Sequence, residues 1–498
     1  MKISKIVTSL FIVGVMAAPL AYATNGMNLA GYGPISESMG GVSMAYDNGT
    51  AAVMNNPATL GLMTDSARVD AAVGILAPRI TSSVGGMSAE SQAKVFIMPA
   101  VGYVQRADKM TYGVGVFSQG GMGTEYEGST FMSAGSGKKT RSEVGVGRLI
   151  APLAYEMDDK LTVGGSVDFV WAQMDLKMAL TGAQFGDMIA AMGGSQTYGA
   201  ASGSMITGFG NMVAGGMLQA PSATGGPVNW GYFDFSDSGK FTGQAKGSGF
   251  AGKIGFVYKV KPGLTIGGTY HSQTRLTDLK TTGASMTMNA NVDDAILAQT
   301  WNGQPGGGAN GTPAGTYTAV PVTLTGSISV HNFQWPNTYG LGMAYQASNQ
   351  LMVMADYKRI GWKNVMKDFS MTFTADAASA QSGLAQGFGG AVMDAALHQN
   401  WADQNVYELG GAYKMDDALT LRGGVNIANN PVPDKYMNPL FPAIAKSHVT
   451  LGVGYALSNV SSVDFSYVYV PKVTATNGSG VSVDFGGYSG QLMYSYRM

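Results

Sequence analysis

The chain has 498 residues, no cysteine, and charged side chains at only 12% of positions, about half the share of an average soluble domain. Lys and Arg number 30 against 31 Asp and Glu, so the net charge of −1 gives no electrostatic reason to bind nucleic acid, and a disulfide framework is excluded. The 72 glycines lack a three-residue period, which excludes a collagen-like chain; 45% hydrophobic content with so few charges excludes ordinary disorder and points to a surface that partly never meets water.

Along the chain, Lys2 and Lys5 precede the apolar run Ile6 to Val15, and Ala21-Tyr22-Ala23 has the small-x-small form of a cleavage site. This predicts a secretory signal peptide over residues 1–23 and a mature chain from Thr24, the apolar run being too short to cross a bilayer as a helix. Residues 24–66 follow, rich in small residues and turn formers (Gly40-Gly41, Asn56-Pro57-Ala58) and poor in charge. The segment is too apolar for a solvated tail and too short for a core of its own. It reads as a plug, or hatch, for the lumen of a wide barrel.

From residue 67 onward, apolar and small polar residues alternate. Leu161, Val163, Val167, Phe169 and Trp171 interleave with Thr162, Gly164, Ser166 and Asp168; Phe465, Tyr467 and Tyr469 continue the pattern near the C-terminus. Without an apolar run long enough for a membrane helix, this predicts an all-β fold: a transmembrane antiparallel β-barrel of 14 strands over 67–498. The expected strands include 109–119, 160–178, 262–280 and 323–346. Even-numbered strands end in tight turns such as Met157-Asp158-Asp159-Lys160 and Met415-Asp416-Asp417, whereas three connections are long, near 179–246, 281–322 and 364–404. Short turns in the periplasm and long loops outside are the pattern of an outer-membrane barrel. The long segments are rich in Gly, Ala, Met and Ser, with short helices expected at Phe185–Met192 and Ala391–His398.

No residue set points to catalysis. His271, His331, His398 and His448 are scattered without ligand spacing, no Gly-x-Ser-x-Gly elbow occurs, and the acidic pairs Asp158-Asp159 and Asp416-Asp417 read as turn formers. The expectation is a protein that is not an enzyme, with no cofactor and no metal.

Gly40-Gly41-Val42 through Asp47-Asn48 and then Asn56-Pro57-Ala58 resemble the N-terminal hatch of the FadL/TodX family of outer-membrane transporters for hydrophobic compounds. Gly121-Met122-Gly123-Thr124-Glu125-Tyr126, Tyr270-His271-Ser272, Leu421-Arg422 with Pro431-Val432-Pro433, and Ser462-Val463-Asp464 are similar to later family segments in the same order. The resemblance implies a monomeric barrel in the outer membrane of a Gram-negative bacterium, in contact with outer-membrane lipid and lipopolysaccharide. It implies uptake of long-chain fatty acids or related hydrophobic molecules, which bind between the loops 179–246 and 281–322. From there they would pass to a pocket beside the hatch and leave sideways through a kink in the third strand at Gly120-Gly121-Met122-Gly123, coupled to the N-terminus from Thr24. Glycine weakens strand pairing, which makes a bend there reasonable.

A fatty acid needs a basic or hydrogen-bonding partner for its carboxylate. Candidates are Lys177, Arg148, Arg275 and Gln173; Gln173 and Gln404 stand where the family would have basic residues, which keeps aromatic hydrocarbons open as alternative substrates. A general hydrophilic porin and a barrel hydrolase are the rivals. An apolar hatch argues against the first, and the missing nucleophile against the second.

Overall fold

The computed structural model describes residues 25–222, 225–235, 245–300, 315–380 and 383–498. The expected signal peptide and Thr24 lie outside the described residues.

The first hairpins hold β1 (Ala67–Val84), β2 (Met87–Glu90), β3 (Phe96–Ala107), β4 (Met110–Tyr126), β5 (Thr140–Glu156) and β6 (Leu161–Thr181). An excursion carries β7 (Gly199–Ser202) and β8 (Val228–Asp234) before β9 (Ala245–Lys261) and β10 (Leu264–His271). Then come β11 (Arg275–Leu276), β12 (Leu279–Asp293), β13 (Tyr317–His331), β14 (Thr338–Gln346), β15 (Leu351–Ile360), β16 (Asp368–Ala375) and β17 (Val392–His398). The chain ends in β18 (Gln404–Lys414), β19 (Leu419–Ala428), β20 (Ser447–Ser458), β21 (Ser461–Thr476) and β22 (Ser482–Arg497).

Antiparallel pairing makes a closed wall. It runs β1–β3–β4–β5–β6–β9–β10, continues β14–β15–β18–β19–β20–β21–β22, and returns to β1. Two strands expected as single runs are each divided. Residues 262–280 hold β10, the two-residue β11 and only the start of β12, and residues 323–346 hold the end of β13 and all of β14, so that, β11 apart, each span belongs to two strands. With these divisions the fourteen expected strands become sixteen. The second break has a clear cause: Asn332 has φ 54°, and Pro336 offers no N–H to a ladder.

The wall is inside out relative to a soluble protein. On β6, Val163, Val167 and Phe169 are exposed while Thr162 and Asp168 are buried; Val167 and Ile254 of β9 are each 65% exposed. Apolar side chains therefore point to lipid and polar ones to the lumen. Tyr112, Tyr155, Tyr258, Tyr345, Tyr413, Tyr455 and Tyr496 are exposed near the tight-turn ends of their strands and form an interfacial girdle. No described helix is long and apolar enough to cross a membrane.

The tight turns are closed by their own carboxylates. Asp158 accepts from the backbone N–H of Lys160 (2.7 Å) and Leu161 (2.8 Å), and Asp416 does the same for Ala418 and Leu419 (both 2.8 Å). Those backbone donors hold the Asp158 carboxyl below its usual range.

The three long connections are not structureless. β12, β13, β16, β17 and β7 pair in that order beyond the wall, and β8 lies between β6 and β12. The helix expected at Phe185–Met192 is instead a turn of α-helix over Gly182–Asp187 followed by a 3-10 turn at Ala190–Met192. The helix expected at Ala391–His398 is strand β17. There, pairing to both β16 and β7 overrides the helical propensity of an Ala-rich stretch.

Candidate functional site

Residues 25–66, the segment expected as a hatch, are nearly all buried and bond to inward-facing wall residues such as Asp356, Asn426 and Thr450. Gly40 and Gly41 adopt φ 76° and 96°, and a Cβ on Gly40 would meet the Val425 backbone while one on Gly41 would meet the Ala30 carbonyl. Only glycine allows this chain to lie so close to the wall. The Gly40 N–H donates to Thr450 Oγ1 (2.8 Å), the Gly41 carbonyl accepts from Lys358 Nζ (2.9 Å), and Asp356 accepts from the N–H groups of Ser43 (2.6 Å) and Met44 (3.0 Å). Asn56 caps a 3-10 turn that starts at Pro57, accepting from Ala58 N–H (3.1 Å) and donating to the carbonyls of Met44 (2.8 Å) and Phe256 (3.1 Å). Ala58 packs against Gly164, where no side chain would fit.

The buried cations beside residues 25–66 all contact protein carboxylates, Arg148 and Lys253 sharing one between them. Arg148 donates to Asp168 (2.6 Å) and to Gln119 (2.5 Å), and Lys253 also pairs with Asp168. Lys358 pairs with Glu408 (3.0 Å), Arg422 with Asp464 (2.7 Å), and Arg68 with Asp47 (2.9 Å) and Asp65 (2.7 Å). Of the expected carboxylate anchors, only Arg148 lies in this lumen layer. Lys177 is bonded to Asp234 (3.3 Å), and Arg275 is exposed on β11. Gln173 and Lys177 share the face of β6 opposite to Asp168, because odd and even positions of an unbroken strand point apart. Gln404 is buried; its amide donates to the Asn429 carbonyl (2.9 Å) and its oxygen accepts from Trp362 (3.3 Å).

The expected kink residues meet the start of the hatch. The β3–β4 ladder stops at Ala100–Phe117, so β5 is the only strand paired with Ser118–Tyr126; on the other edge the chain is bonded again at Glu125, whose carbonyl accepts from Gln92 N–H (2.7 Å), and the β4–β5 register shifts between Ser118 and Gly120. Asn28 bridges to Gly120, and the Gly121 N–H donates to the Met27 carbonyl (3.1 Å). A Cβ on Gly120 would strike that carbonyl and approach the Trp335 ring. Met122 is buried in the same apolar cluster as Met27 and Leu29, and Gly123 continues the β4–β5 pairing opposite Glu143.

Three tryptophans, invisible as a group in the sequence, back this junction. Trp335, Trp362 and Trp401 are fully buried and stack edge to face, with ring centres 5.6 Å and 5.3 Å apart. The Trp335 indole N–H donates to Asn28 Oδ1 (2.6 Å). Trp335→Phe should keep much of the packing but leave that buried acceptor without its donor, lowering stability by about 1–3 kcal/mol. Thermal unfolding of the detergent-solubilised barrel reads this directly.

Two spaces accompany these contacts. A groove of about 410 Å³ lies among the outer connections, with Met178, Leu180, Met188, Leu397, Met437 and Leu440 supplying much of its wall. Its size and apolar lining are those of a small-molecule site. Residues of the 179–246 segment line it, but none of the described residues of 281–322 does; 131–134, 397–399, 435–440 and 477–481 complete the wall. The second space, about 40 Å³ beside the hatch, is bounded by Asn25, Asn28, Leu29, Tyr32, His271 and Lys358 among others. It has room for water but not for a hydrocarbon ring, so any larger guest requires the hatch to move. His271 is held there by a 2.7 Å bond to the Asn55 carbonyl, and among the described residues no group of potential metal ligands gathers.

Residues 14–489 match the family model described as outer membrane protein transport protein (OMPP1/FadL/TodX). Among solved structures, the chain is similar to the toluene transporter TodX of Pseudomonas putida, 26% identical with a TM-score of 0.75 over 95% of this chain and 99% of that one. It is also similar to the toluene transporter TbuX of Ralstonia pickettii, 27% identical with a TM-score of 0.70 over 95% and 99%. An uncharacterized protein in the phosphoenolpyruvate carboxykinase gene 5′ region of Chlorobium limicola is 47% identical over 81 residues, which are 16% of this chain and 40% of that relative. The match thus spans less than half of that curated relative's length.

Proposed function

We propose that this chain, which belongs to the outer membrane transport protein family OMPP1/FadL/TodX, passes neutral hydrophobic molecules, monoaromatic hydrocarbons among them, across the outer membrane without chemical change. The observation that carries the choice of substrate is the charge pairing in the lumen. Arg148 and Lys253 share Asp168, Lys358 holds Glu408, and Arg422 holds Asp464. A fatty-acid carboxylate arriving at Lys358 or Arg422 would have to displace a protein carboxylate, and at Arg148 and Lys253 it would have to share both cations with Asp168 and Gln119, whereas a neutral ring needs no such exchange. The similarity to two toluene transporters supports the same reading.

In this reading the fourteen strands of the closed circuit cross the membrane, and the remaining strands stand outside it as the walls of the receiving groove. The substrate is taken from water by the methionine- and leucine-lined groove, whose flexible side chains suit guests of varied shape. It then moves to the space beside the hatch once residues 25–28 shift, and leaves toward lipid where β3 and β4 are unpaired above Phe117. The driving force is partition of apolar surface from water to hydrocarbon, so no energy source is required.

Uptake of labelled toluene and labelled oleate by cells with and without the gene tests this. The expected result is gene-dependent entry of toluene with little gene-dependent entry of oleate. Preferential entry of oleate would overturn the choice of substrate, and gene dependence for neither would overturn transport.

A further inference from the structure

On its lipid-facing side the barrel carries one cluster that transport does not use. Arg79 of β1 faces Gly486 of β22, and Gly486 lies beside the β21 bulge between Val470 and Val473, where its missing side chain would sit 3.2 Å from Lys472 Cα. Arg79, Gly486 and Lys472 thus form one row across three strands. Below it lie three tyrosines of the exposed face: Tyr488 has its ring centre 5.9 Å from Tyr467 and 5.6 Å from Tyr469, and the Arg79 guanidinium rests 5.3 Å above Tyr488. Tyr467 and Tyr469 continue the outward set of Phe465, Leu492 and Tyr494, so the row stands at the edge of the apolar band, at the end away from the tight turns.

The charges there do not cancel. Lys472 pairs with Asp484 (2.9 Å), which also accepts from Thr474 (2.6 Å), but no ion pair joins Arg79 to a carboxylate among the described residues. Two cations therefore face one acid at headgroup height, with a glycine gap between them. Arg359 makes the contrast: it is also exposed and membrane-facing, yet it carries its own carboxylate, Asp403, at 2.9 Å. An arginine held flat on an aromatic ring presents its donors as a fork, which suits a phosphate.

We propose that this row is a binding site for a phosphorylated lipid headgroup of the outer leaflet, with Arg79 and Lys472 holding the phosphate and the tyrosines packing against its acyl or sugar portion. Such sites are where juxtamembrane cations and anionic lipids meet. The inference needs only the membrane barrel and does not depend on which molecule is transported.

The test is native mass spectrometry of the purified full chain with rough lipopolysaccharide, with phosphatidylglycerol, and with inorganic phosphate alone, comparing wild type with R79Q/K472Q and with R359Q. The folded state of each variant is checked by its heat-dependent shift in electrophoretic mobility. Wild type should retain lipopolysaccharide or phosphatidylglycerol. The double variant should retain about ten- to a hundredfold less, the loss expected for charge-assisted hydrogen bonds to a phosphate, and R359Q should match wild type. Equal retention by the double variant, an equal loss in R359Q, absence of retention by wild type, or retention of inorganic phosphate without either lipid would each overturn the proposal.

Discussion

Replacing Asp168 by Asn should destabilise the barrel by about 3–5 kcal/mol, the cost of leaving buried charge without its partner. Asp168 is fully buried, as are Arg148 and Lys253, and its carboxylate receives Arg148 (2.6 Å), Lys253 and the Ser166 hydroxyl (2.6 Å). An amide of the same shape leaves two cations facing each other in the lumen. The effect should be read as a lower urea midpoint of the detergent-solubilised protein. D168N/K253M removes one of the stranded charges with little change of volume and should recover part of the loss. A substitution that cost nothing would mean that water or ions, rather than Asp168, neutralise these side chains. The same variant probes substrate choice. A freed Arg148 is a carboxylate receptor, so D168N should shift competition between toluene and oleate toward oleate; an unchanged ratio would count against the charge-pairing argument.

Much of this layer is legible in the alternation of β6 alone. Val163, Val167, Phe169 and Trp171 fall in one phase and Asp168 in the other, so the period of two by itself places Asp168 in the lumen. The same phase puts Gln173 with the lipid-facing set, and assigning it a lumen role from likeness to other proteins overrides the stronger periodic signal. What the periodicity does not reveal is the partner: Arg148 and Lys253 lie on β5 and β9, and only the pairing of these strands to either side of β6 brings them to one carboxylate. The outer strands are a different case. Met286, Met288, Ala290 and Val292 alternate with Thr287, Asn289 and Asn291, a strand pattern hidden by a composition rich in small and polar residues. The tryptophan stack is illegible because Trp335 and Trp401 lie in irregular segments and Trp362 in a single 3-10 turn, with no period to relate them.

The largest functional effect is expected at the junction of the hatch with β4. Asn25 and Asn28 form part of the wall of the small cavity, and Asn28 and Met27 occupy the stretch where β4 has no partner in β3. Deleting Asn25–Asn28 removes part of the wall of that cavity and, on the proposed route, the peptide that moves to let a guest pass. Gly120→Val reaches the same end from the other side: its side chain needs the volume of the Met27 carbonyl and the Trp335 ring, so the N-terminal peptide must leave its seat. Neither change removes a ladder that closes the barrel, because Gly120 pairs with Val146 through its backbone and β4 remains paired to β5 on both sides of the bulge. Both variants should therefore fold, with unaltered heat-dependent electrophoretic mobility, and lose toluene uptake by about tenfold or more, the equivalent of about 1.4 kcal/mol of lost binding. Because two chemically unrelated changes act on one contact, combining them should add little to either alone, as expected for neighbours that share a partner. Uptake that survives both changes would show that the substrate does not pass the junction of Asn28 with Gly120, and that the unpaired length of β4 is a structural irregularity rather than an exit.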